Sequence, residues 1–173
     1  MEKTNRGKAM QETDLSKLSS LVKKILKNRA VLSIIDGLKG QLLESNEQFV
    51  WATLPHQLIG EEFPMGIHSA WIFVLKPNYH TSSHYHPNST QHTAVIEGDG
   101  RAKIGNQKIE LQVFNLHEIQ PIWYVIGKSV PHEFVTRDSP VVVISFHTCQ
   151  ANELVEVETD SGSRRLYERR GAH

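Results

Sequence analysis

From residue 49 onward the chain is a succession of short β-prone runs, each closed by a turn sequence, with no helical stretch between them. Residues 49–54, 69–75, 93–97, 101–104, 108–113, 119–126, 133–136 and 141–147 are rich in β-branched and aromatic side chains. Gly98-Asp99-Gly100, Gly105-Asn106-Gln107, Gly127-Lys128-Ser129 and Asp138-Ser139-Pro140 separate them with the residue types that turns require. Many short strands at this spacing predict a mainly β fold, a closed antiparallel barrel of the jelly-roll kind. Residues 152–157 read as one more strand. The segment from Asp160 is polar and charged, and reads as a tail that frays or docks on a neighbour.

The first 48 residues have a different period. Leu15, Leu18, Leu21, Val22, Ile25 and Leu26 recur every three or four positions and predict an amphipathic helix over 14–28, capped by Asp14 or Thr13. Residues 31–43 predict a second helix, or a helix broken at Gly37 and Gly40. These segments either cover a sheet or build a dimer face. The expected organisation is a helical extension over 1–48, the β-barrel over 49–158 and a polar tail over 159–173.

At 173 residues the chain fits one ordinary domain, which buries roughly 70% of its unfolded surface without disulfide staples. The single cysteine, Cys149, excludes an internal disulfide framework. Nineteen basic against nineteen acidic side chains give no net field to draw nucleic acid or an anionic membrane. No apolar run approaches the roughly 20 residues of a membrane helix, and the polar start does not read as a secretory signal. The expectation is a cytoplasmic homodimer that takes a small-molecule ligand.

Ten histidines are unevenly spread, with His80, His84, His86 and His92 close together. On an extended strand His84 and His86 leave by the same face, within reach of one ion. A catalytic metal site ordinarily takes three protein ligands and keeps an open position. The third comes from another strand, and His132 in Val130-Pro131-His132-Glu133-Phe134 suits that place. The bland alternative is a pair of surface loop histidines.

The run His84-Tyr85-His86, four residues, Gln91, six residues, Gly98 resembles the first signature of the cupin superfamily, H-x-H, three or four residues, Glu, six residues, Gly. Gly127-Lys128-Ser129-Val130-Pro131-His132, with Thr136 following, resembles the second, P-x-G-x-P-H-x-x-x-N. The likeness covers about residues 65–148. It implies a cupin-type double-stranded β-helix with an N-terminal helical segment, and a divalent metal held by His84, His86 and His132, with Gln91 at the usual glutamate position. Iron is the leading candidate, and Ni, Zn, Mn or Cu are also acceptable to imidazole.

The departures shape the expected chemistry. Gln91 offers a neutral amide oxygen: it ligates weakly, bonds a metal-bound water or fills the space, and His92 competes for the fourth position. Neutral ligands leave the ion its full charge and favour an anionic, chelating substrate. His147 and Tyr85 are the candidates for moving protons. Ser145-x-His147 also resembles part of the site of thiol dioxygenases, with Cys149 where those have tyrosine. No arginine suited to hold a substrate carboxylate is evident before the first motif. A packed core histidine and an inert thiol are the plain structural reading of His147 and Cys149. Trp71, Phe73, Trp123 and Tyr124 read as core and pocket walls, and Lys23-Lys24 and Arg164-Arg165 as solvated pairs. The functions in view are dioxygenase-like chemistry, metal-dependent isomerisation or lysis, and ligand binding without turnover.

Overall fold

The structure is a computed structural model that describes residues 14–167; Thr13 as a cap and the last six residues of the expected tail lie outside the described residues. Helix α1 (Leu15–Ile25) starts at Asp14, whose Oδ1 accepts from the backbone N–H of Ser16 at 3.0 Å and Lys17 at 3.3 Å. Lys23 and Lys24 occupy its last turn, where the helix dipole favours cations. Helix α2 (Arg29–Glu44) is capped by Asn28 and runs unbroken through Gly37 and Gly40. Each glycine costs a helix about 1 kcal/mol. Burial of Val31, Ile35, Leu38 and Leu42 along one face outweighs that cost.

The strands are β1 (Phe49–Thr53), β2 (Ser69–Leu75), β3 (His84–Tyr85), β4 (Gln91–Glu97), β5 (Gly100–Ile104), β6 (Gln107–Glu110), β7 (Tyr124–Ile126), β8 (His132–Thr136), β9 (Val141–His147), β10 (Val155–Glu158) and β11 (Arg164–Leu166); a short α3 (His56–Ile59) follows β1. They form two antiparallel sheets, ordered β1-β2-β9-β4-β7 and β11-β10-β3-β8-β5-β6. No ladder among the described residues joins one sheet to the other, so the expected closed cylinder resolves into two packed layers. From β2 onward the chain passes back and forth between them.

All seven residues of β9 are buried. Val142, Ile144 and Phe146 face a core shared with Leu18, Val22, Val31 and Ile35 of the two helices. Val141 and Val143 face the other way, toward Phe134 and Ala102 of the second sheet. Burial on both faces explains why β9 reads as a continuous apolar run. The helices therefore cover a sheet.

Helix α3 interrupts the region that read as free of helix, and three further segments differ from the sequence reading. Only Tyr124–Ile126 of the run 119–126 is strand. Pro121 has no N–H to give a ladder, and Ile119 is left 97% exposed. Residues Ala151–Glu153 form a 3-10 turn before β10. The segment read as tail adds strand β11, and Tyr167 just after it is buried against Trp51, Trp71 and Phe73.

Turn backbone is demanding at Gly98, where φ is +87° and a Cβ would overlap the Pro140 carbonyl oxygen and lie 2.9 Å from Val141 Cα. Ser129 holds φ +59°, the left-handed region, at a position where glycine is the unstrained residue. Gly98→Ala is expected to destabilise the chain by at least about 2 kcal/mol, from backbone strain plus displacement of Pro140. A urea midpoint unchanged from wild type would show that the turn relaxes freely.

Candidate metal centre

Antiparallel pairing sets His84 directly opposite His132, on β3 and β8. His86, two residues on, leaves by the same face. The ring centroids are 4.3 Å apart for His84–His132, 5.6 Å for His84–His86 and 5.4 Å for His86–His132. One ligand atom from each of the three falls within 4.8 Å of the others.

The backbone orients each ring. Nδ1 of His84 lies 2.8 Å from Ser82 O, Nδ1 of His86 2.8 Å from Val155 O, and Nδ1 of His132 3.0 Å from Val130 O. A carbonyl only accepts, so each Nδ1 carries a proton and, in the neutral ring, each Nε2 keeps its lone pair. Carbonyl-fixed tautomers of this kind are what a metal-binding imidazole needs. Nε2 of His132 is buried and has no hydrogen-bond partner. The donor set therefore fits a divalent ion of borderline softness.

The first sheet supplies the opposite wall. Gln91 and His147 are direct partners across β4 and β9. The Gln91 amide donates to Thr93 Oγ1 at 2.7 Å, and Thr93 Oγ1 lies 2.8 Å from Ser145 Oγ. Its own oxygen is buried and lacks a hydrogen-bond partner of good geometry, beside His86. His92 pairs with Phe146 and so sits on the opposite face of β4, turned from the cavity. His147 is 1% exposed, with Nδ1 3.0 Å from Ser89 Oγ and Nε2 unpartnered.

Around these groups lies a cavity walled by Phe49, Phe73, Leu75, Phe134, Val141 and Val143. Phe73 lines it, while Trp71 packs with Cys149 behind it. Trp123 lies on the helix side, its indole N–H donating to Ser19 Oγ at 2.9 Å. Tyr85 does not line the cavity: it stands between His84 and His86 and leaves by the other face of β3. Burial raises the pKa of the Cys149 thiol, which does not line the cavity either.

The sequence reading did not place in the cavity three residues that β10 and the segment of β11 bring there: Glu156, Arg165 and Tyr167. Tyr167 OH donates to Glu156 Oε2 at 2.6 Å, and Arg165 Nη1 is 3.5 Å from Glu156 Oε1. The Arg165 guanidinium also lies over Phe49, 5.4 Å from its centroid. Arg165 is thus half exposed at the cavity mouth and engaged, a correction to its reading as a free surface charge. The signal that was available is the turn sequence Asp160-Ser161-Gly162-Ser163, which joins two strands that set Glu156 opposite Arg165.

Burial holds His86, His132 and His147 below the usual histidine range, and His132 is depressed further by His84 and His86 beside it. These imidazoles are neutral at pH 7, the form that ligates.

No protein-family model and no curated protein matches the chain. Among solved structures it is similar to the salicylate 1,2-dioxygenase of Pseudaminobacter salicylatoxidans, at a TM-score of 0.49 and 15% identity, with 64% of this chain aligned to 31% of that one. A second similar structure, from Acidithiobacillus ferrooxidans and provisionally described as a sugar phosphate isomerase, gives a TM-score of 0.47 at 12% identity over 69% of this chain and 70% of that one. The chain spans less than a third of the dioxygenase. No helix among the described residues is long and apolar enough to cross a membrane.

A pH prediction follows from the depressed histidines. The unfolded chain takes up protons near the ordinary histidine pKa of about 6.5, and the folded chain resists them. Stability of the metal-free protein should therefore be level above that value and fall as pH drops below it. Denaturant midpoints at pH 7.5 and 5.5 measure the effect, and equal midpoints would contradict the depressed values.

Proposed function

We propose that the protein is a metal-binding cupin that holds one divalent ion on His84, His86 and His132, iron first among the candidates, and acts on a small, chelating anionic substrate by dioxygenase-like chemistry. The observation that carries this reading is the convergence of three imidazoles whose Nδ1 atoms are all committed to backbone carbonyls. Two spaced sequence signatures support it, as does the order in which the strands pass between the sheets, with β2, β4, β7 and β9 in one and β3, β5, β6 and β8 in the other, the order of a jelly roll.

When bound, the ion supplies a Lewis-acidic point for a chelating anion and, as iron, the redox capacity for chemistry with O2. The chain's own residues do the rest. The apolar walls exclude water and favour a substrate with a hydrophobic body. Arg165 at the mouth offers a cation for a carboxylate. Gln91 stands beside His86 in a tuning role, its amide anchored by Thr93. Ser89 holds His147 by Nδ1, which leaves Nε2 free to exchange a proton on the cavity wall.

The unpartnered Nε2 of His147 favours a second reading, metal-dependent isomerisation or lysis, in which that nitrogen moves the proton. Oxygen uptake with a panel of chelating aromatic and aliphatic acids separates the two, since isomerisation consumes none. A barrel that binds such acids without converting them would be a ligand-binding protein.

Alanine at His84, His86 or His132 is expected to reduce the metal content of freshly purified protein severely, because two imidazoles rarely retain an ion. His147→Ala should leave content near wild type while changing turnover. Elemental analysis of the four variants decides, and undiminished metal in the first three would remove the basis of this reading.

A further inference from the structure

With glutamine at position 91, the face of β4 brings no carboxylate to the three imidazoles. One arrives from the other side. Strand β10 pairs with β3, and Glu156 on β10 extends into the same cavity with its side chain only 14% exposed. Its Oε2 lies 3.7 Å from Nε2 of His84. That nitrogen carries no proton when His84 is neutral, because Nδ1 gives its own to Ser82 O. A carboxylate lone pair and an imidazole lone pair thus face one another, an arrangement that is repulsive unless positive charge stands between them. A proton on His84 would answer this contact alone. An ion held by His84, His86 and His132, whose ligand atoms lie within 4.8 Å of one another, would also set positive charge beside this carboxylate.

The spacing agrees. Two donors about 2.1 Å from one ion sit roughly 3.0–3.4 Å apart. Oε2 is therefore within a few tenths of an ångström of ligand spacing from His84. Tyr167 OH and Arg165 hold the carboxylate in position and still leave acceptor sites open, since a carboxylate offers about four. We propose that Glu156, delivered by the C-terminal β10–β11 hairpin, is the carboxylate ligand of the metal centre. Arg165 and the ion then compete for its charge. This assignment rests on the reading of His84, His86 and His132 as the metal centre.

The test is a Zn²⁺ titration against a competing chelator, paired with the visible absorption spectrum of the Co²⁺ form, on the full chain. Glu156→Gln should weaken Zn²⁺ binding at least about tenfold and alter the Co²⁺ spectrum. Arg165→Met should tighten Zn²⁺ binding by removing the competing cation. If Glu156→Gln binds with wild-type affinity and an unchanged spectrum, Glu156 is only the partner of Tyr167 and Arg165, and the assignment is overturned while the three-histidine centre stands. Should Glu156→Gln fail to fold, Glu156→Asp carries the test: it draws the carboxylate back by one methylene and should lower affinity, and wild-type binding by it overturns the assignment. A wild-type chain that binds neither ion overturns the centre and the assignment together.

Discussion

The burial of β9 on both faces is the constraint from which the site descends. Val142, Ile144 and Phe146 each contribute about 1.5–3 kcal/mol by leaving water for the helix-side core. A slip of one residue would exchange them for Val143, Ser145 and His147. Ser145 and His147 would then meet the apolar faces of α1 and α2 without partners, at a cost of several kcal/mol for each polar group. The register is therefore held from outside the cavity. Once it is held, Gln91 lies opposite His147, and Thr93 opposite Ser145, with no choice left to those polar residues.

The three imidazoles are oriented by a different device. Their partners are the carbonyls of Ser82, Val130 and Val155, so main chain rather than neighbouring side chains sets each ring. The turn before β8 is itself tied to this strand, since Ser129 N–H donates to His86 O at 3.0 Å. The twist of β3 and β8 and the path of that turn thus become the geometry of the centre. Low polarity around His86 and His132 holds their pKa values down, and it also makes unpaired lone pairs expensive. A cation at their convergence answers several of those deficits at once.

The C-terminal hairpin completes the enclosure. Tyr167 packs edge-on to Trp51, Trp71 and Phe73, at centroid distances of 5.1, 5.8 and 5.9 Å. These aromatic contacts belong to the first sheet, whereas β10 belongs to the second. The hairpin consequently fastens the two layers together at the edge where Glu156 and Arg165 meet the cavity. Anchoring and chemistry occupy alternate roles in one short segment.

Local rules read directly from the chain. Runs of β-branched and aromatic residues closed by turn residues gave the main strands after residue 49, and three-to-four spacing gave α1 with Asp14 at its start. Alternation also set His84 and His86 on one face, and set Gln91 and His92 on opposite ones. The same rule, applied to Tyr85, places it away from His84 and His86, against its reading as a candidate for moving protons. Non-local facts were illegible for a physical reason. Whether Gly37 and Gly40 break a helix depends on what its other face buries, and whether Arg165 is solvated depends on a strand partner and an aromatic ring that the sequence does not place beside it. Sequence alone determined the periodicity of the elements and which histidines share a face. The tertiary structure alone decided that β8 brings His132 opposite His84 and that Glu156 returns to them from β10, because contacts between distant strands are set by register and by crossings between sheets, which no local spacing encodes.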